Sequence, residues 1–116
     1  FKGHVNDFNY LDLPAVRKRP SLGFPQGAEN GDIPDKVRIP LLSDVLDLVC
    51  HDEHAHVSVL IEFKQHSPQL VHSVFKLLHD RNLLEDDRVI WFSLKADINK
   101  LLYSIAPTVP RAPSVL

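Results

Sequence analysis

Residues 57–64, Val-Ser-Val-Leu-Ile-Glu-Phe-Lys, place a carboxylate and an ammonium two positions apart at the end of an apolar, β-branched run. Such a run between polar loops predicts a strand. Side chains alternate along a strand, so Val57, Val59, Ile61 and Phe63 share one face and Ser58, Leu60, Glu62 and Lys64 share the other. The first face is uniformly apolar and is expected to pack under a helix. The second carries the chemistry. Glu62 offers a hard oxygen ligand to Mg²⁺ or Ca²⁺, and Lys64 offers a point charge to a phosphate. Opposite charges closing a buried strand need each other, a metal or a ligand. The plainer alternative is a Glu62–Lys64 pair that ends the strand in solvent.

Other residues draw attention for their type. Ser93 closes a second apolar run, Arg88-Val-Ile-Trp-Phe-Ser93. There it either presents a hydroxyl to a bound substrate or caps the helix that follows. His51, Asp52, Glu53, His54 and His56 form a dense set of metal-ligand types, but they fall in a helix-to-strand loop. That end of a parallel sheet lies opposite the usual active site, so a solvated loop is expected. His66 follows Lys64 and reads as a surface histidine within reach of the same site. His72 and His79 lie off the apolar stripe of their helix and are expected to be exposed. Cys50, the only cysteine, is expected to be a small buried filler; alone it makes neither a disulfide framework nor a multi-cysteine zinc site. The four glycines match neither phosphate-binding loop pattern, which disfavours a nucleotide site.

These residues need a scaffold, and the apolar periodicity supplies one. Leu42, Val45, Leu46, Leu48 and Val49 predict a helix near 42–50, with Ser43 or an earlier residue as its cap. Ser67-Pro68 is a strong helix start, and Leu70, Val71, Val74, Leu77 and Leu78 carry a helix through 68–82. A further helix is expected near 95–105, stopped by Pro107 and Pro110. Pro113-Ser-Val-Leu116 reads as the opening of a third strand. Helix, strand, helix, strand, helix, strand start implies right-handed βαβ units on a parallel sheet. Both doubly wound sheets and (β/α) barrels use such units. Residues 1–40 hold five of the nine prolines and all four glycines and read as irregular. Arg17-Lys-Arg19 within them is a solvated basic run.

Composition narrows the function classes. The chain has 116 residues, 44% hydrophobic and 24% charged, with a net charge of −2. That is ordinary globular composition. The absence of a basic excess argues against a nucleic-acid partner. No run of about 18 apolar residues is present, so no membrane span is expected. Compartment is not legible. The missing methionine and the proline-rich ends suit an internal piece of a longer protein, with unpaired sheet edges and poor solubility when isolated.

Three stretches carry a resemblance: Asp7-Phe-Asn-Tyr-Leu-Asp-Leu-Pro14, Arg38-Ile-Pro-Leu-Leu-Ser-Asp-Val-Leu46 and Val59-Leu-Ile-Glu-Phe-Lys64, followed at a suitable distance by Val89-Ile-Trp-Phe-Ser93. In this order and spacing they resemble the glycerophosphodiester phosphodiesterase family. The resemblance implies a fragment of a TIM (β/α)8 barrel, with residues 41–116 as its βα units. It implies metal-dependent hydrolysis of a glycerophosphodiester to glycerol 3-phosphate and an alcohol, or, as in some relatives, hydrolysis of a lysophospholipid. Glu62 then matches a carboxylate ligand of a divalent metal ion, Mg or Ca, and Lys64 the catalytic-site lysine that contacts the phosphate. The family's His-Arg-Gly strand, Glu-x-Asp metal pair and second catalytic histidine have no counterpart here. His51-Asp52 follows the wrong segment to fill the last role. The 116 residues alone are therefore expected not to catalyse, and a non-catalytic binding module on the same fold is the alternative.

Overall fold

Local capping chemistry sets the element boundaries. A computed structural model of the chain describes residues 3–15 and 38–112. The Arg17–Arg19 run and the strand expected at 113–116 lie outside the described residues. Two units are distinguished, residues 1–41 and 42–116.

Of the first unit, residues 3–15 and 38–41 are described. It holds two single-turn 3₁₀ helices, Val5–Asp7 and Tyr10–Asp12. The Tyr10 hydroxyl donates to the Ile39 carbonyl at 2.7 Å, and the Arg38 guanidinium lies 5.7 Å from the Tyr10 ring centroid. Arg38 also donates to the Tyr10 and Leu11 carbonyls. Two of the stretches that carry the family resemblance thus meet through one tyrosine.

The second unit runs α1 (Leu42–Val49), β1 (Val59–Glu62), α2 (Pro68–Asp80), β2 (Val89–Phe92) and α3 (Ala96–Ile105). Ser43 falls inside the first turn of α1 rather than at its cap. Ser67 caps α2: its Oγ accepts from the Leu70 amide at 3.2 Å, and Pro68 opens the first turn. Asn82 ends α2 in the left-handed region at φ 55°. This lets the Leu83 amide reach back to the Leu78 carbonyl at 3.0 Å, as helix C-termini prefer. The loop at 51–56 is solvent-exposed as expected, with a 3₁₀ turn at Asp52–His54. Cys50 is exposed, not buried. Leu46 and Val49 take the inward face of α1, and Cys50, one residue on, turns outward.

The strands are parallel, in the register Val59↔Val89, Leu60↔Ile90, Ile61↔Trp91 and Glu62↔Phe92. The Val59 and Phe63 amides bond the Arg88 and Phe92 carbonyls, whereas the Trp91 amide bonds the Pro110 carbonyl at 3.1 Å. Backbone groups of successive residues point to opposite edges of a strand. The segment at Pro110-Arg111, bridged in parallel to Trp91, therefore lies on the edge of β2 away from β1. Among the described residues this contact is a single bridge and not a strand. Sequential order across the sheet is common to barrels and to each half of a doubly wound sheet.

The core lies on one face of the sheet. Phe63, Val89 and Trp91 pack with Val71, Val74 and Leu78 of α2 and Ile98 and Leu102 of α3. The Phe63 and Trp91 rings meet edge to face at 6.0 Å. The other face is open, and Leu60 on it is 62% exposed. Parallel sheets are ordinarily covered on both faces.

Candidate functional site

The alternation read from the sequence places Phe63 and Glu62 on opposite sides of β1. Phe63 is buried against the helices, while Glu62 and Lys64 emerge on the open face at the C-terminal end of the strand. The register brings the end of β2 alongside. Glu62, Phe63, Lys64, Leu94 and Lys95 line an open depression of about 290 Å³. Ligands in parallel α/β folds bind at this end of the sheet.

Charge at this depression is uncompensated. Among the described residues, Glu62, Lys64 and Lys95 make no ion pair, either with one another or with a neighbour. Some charges elsewhere are matched. Arg81 reaches Asp47 at 2.7 Å and Lys76 reaches Asp80 at 2.7 Å. The expected alternative of a Glu62–Lys64 pair is not what forms.

Ser93 occupies a different place from the one its position at a strand end suggests. It is fully buried on the helix side, level with Phe63 rather than with Glu62. Its hydroxyl donates to the Phe63 carbonyl at 2.7 Å and accepts from the Lys95 amide at 3.1 Å. The Ser93 amide in turn donates to Asn99 Oδ1 at 2.8 Å. Ser93 thus ties the two strand ends together and fixes the turn into α3. That is closer to the capping alternative than to a substrate contact.

His66 is exposed and pairs with Asp97 in the first turn of α3. The His66 ring holds the Asp97 carboxyl below its usual value of 3.8. A carboxylate with a depressed folded-state pKa adds stability above its unfolded value and loses it as pH falls through the folded one. Asp97→Asn is therefore expected to flatten the acid limb of a plot of thermal midpoint against pH below 3.8. An unchanged acid limb would show that the pair contributes nothing to folding.

The donor set for a metal is incomplete. Among the described residues no three His, Cys, Asp or Glu side chains converge as a metal site. Glu62 supplies one carboxylate where Mg²⁺ or Ca²⁺ takes six or more oxygens. The residue that sequence reasoning missed is Lys95. The available signal was its place just past the second strand, on the same end of the sheet as Lys64. No helix of the described residues is long and apolar enough to cross a membrane. Comparison of the chain with protein-family models, curated proteins and solved structures finds no match.

Proposed function

We propose that this chain supplies consecutive βα units to a glycerophosphodiester phosphodiesterase barrel within a longer polypeptide, with Lys64 contacting the substrate phosphate and Glu62 serving as one carboxylate of a metal site completed by residues outside those described. The observation that carries this reading is the emergence of Glu62 and Lys64, unpaired, on one open face at the C-terminal end of a parallel strand. The resemblance of the three sequence stretches, one of which contains Glu62 and Lys64, supports it as well. So does the open face itself, which a barrel would enclose.

The chemistry open to these residues is modest and specific. The Lys64 ammonium complements the negative charge of a phosphodiester, and that complementarity gains strength as charge builds on the phosphoryl oxygens. Phe63 and Ser93, locked in the core, hold the strand end still, so that Lys64 is presented from a rigid element. Lysophospholipids present the same phosphodiester and are the second substrate class.

Release of glycerol 3-phosphate by the native polypeptide that carries these residues tests the reading. Divalent-metal-dependent hydrolysis of a glycerophosphodiester is expected. Glu62→Ala is expected to abolish it, and Lys64→Ala to lower kcat/KM by about tenfold or more, as loss of one charged transition-state contact does. Intact metal-dependent activity in Glu62→Ala would sink the role of Glu62. A polypeptide that binds glycerol 3-phosphate but hydrolyses no diester would make the chain a binding module instead.

A further inference from the structure

The depression holds two ammonium groups and one carboxylate from the ends of adjacent strands, and only one of the ammonium groups has a role so far. From this arrangement we infer that Lys95 is a second anchor for the substrate phosphate, so that an anionic phosphate is gripped from two strand ends, by Lys64 after β1 and Lys95 after β2. This rests on the reading of the depression as a phosphodiester site.

Three observations converge on Lys95. Lys95 lines the same cavity as Glu62 and Lys64. Among the described residues it makes no ion pair and no side-chain hydrogen bond, whereas its backbone is fixed on both sides. The Lys95 amide donates to Ser93 Oγ at 3.1 Å and its carbonyl accepts from Asn99 at 3.0 Å. It is also the residue that opens α3, so its extended backbone departs the sheet just where the strand ends meet. Its side chain does not cap the helix and is left for another partner.

Charge decides the ligand class. Lys64 and Lys95 outweigh Glu62 by one positive charge around the depression, which complements the single negative charge of a phosphodiester. Where no cation sits on Glu62, the carboxylate cancels Lys64, and Lys95 restores a net positive charge for an entering anion. Two compact ammonium groups on flexible stems suit a tetrahedral phosphate approached from two sides. Leu94, exposed beside Lys95, adds an apolar wall against the carbon backbone of a glycerol phosphate.

The test is calorimetric titration of glycerol 3-phosphate into the full chain at low ionic strength, repeated with Lys95→Ala, Lys95→Arg and Lys64→Ala. Lys95→Ala is expected to weaken binding about tenfold, equivalent to about 1.4 kcal/mol, with Lys95→Arg close to the parent and the affinity falling as salt is raised. Because Lys95 uses only its backbone in the fold, the thermal midpoint should hold steady, which separates loss of binding from loss of structure. Lys95→Ala binding as tightly as the parent, while Lys64→Ala binds weakly, would overturn the role of Lys95 and leave the phosphodiester reading standing. Indifference of binding to both substitutions would overturn both.

Discussion

Replacing Trp91 with alanine is expected to destabilise the second unit by about 4 kcal/mol, the usual cost of truncating a large aromatic side chain in a packed core. Trp91 is fully buried at the centre of β2 and meets Phe63 edge to face. The same ring carries a liability. Its Nε1–H is buried without a hydrogen-bond partner among the described residues. An unsatisfied buried donor costs about 1–3 kcal/mol. Trp91→Phe should therefore cost far less than its lost volume implies, about 1 kcal/mol, because it removes the unpaired N–H together with part of the ring. Urea midpoints at unchanged m, followed by circular dichroism, measure both variants. A Trp91→Phe protein as unstable as Trp91→Ala would show that the indole N–H has a partner beyond the described residues.

What the sequence made legible was whatever depends on neighbours along the chain. Among the described residues, the apolar periods placed the three α-helices and two strands, and Ser67-Pro68 located the start of α2 to the residue. Alternation within β1 correctly divided Phe63 from Glu62 and Lys64. Register between strands is set by tertiary packing, and there the reading failed. Ser93 shares a face with Trp91, as alternation requires, but only the pairing Ile61↔Trp91 shows which face that is. The pairing puts Ser93 over the helices. It also places the residues just past β2 beside Lys64, so that the neighbourhood of Lys95, hinted at by its place after the second strand, becomes plain only in the fold. Cys50 failed for a related reason: a helix-end residue is inside or outside according to where the helix docks, and that is decided by Leu46 and Val49.

Register also explains why the second large effect is expected far from the depression, at Arg88. This half-buried side chain gathers three carbonyls at the other end of the sheet. Its Nε donates to Val57 at 2.9 Å, and one terminal nitrogen donates to Val49 at 2.8 Å and to His54 at 3.1 Å. Val49 closes α1 and His54 closes the 3₁₀ turn, so the guanidinium satisfies carbonyls that helix ends leave orphaned and places positive charge where helix dipoles favour it. Its own carbonyl receives the Val59 amide at 2.8 Å, the bond that begins the β1–β2 ladder. Arg88→Ala strips the charged donor from all three acceptors. It is expected to cost about 3 kcal/mol, allowing for water replacing part of the loss at a site that is not fully enclosed. Arg88→Lys keeps the charge but not the fork and is expected to recover only about a third of that. Amide exchange should rise most across residues 49–59, where the strand loses its lateral anchor. A slip of β1 by one residue would turn Glu62 and Lys64 into the helix face and bring Phe63 out in their place. Arg88→Ala is therefore also expected to weaken glycerol 3-phosphate binding, although Arg88 lies at the opposite end of the strands. Full binding in a protein destabilised by this change would show that the strand-end geometry is held by Ser93 and its bond to Phe63 alone.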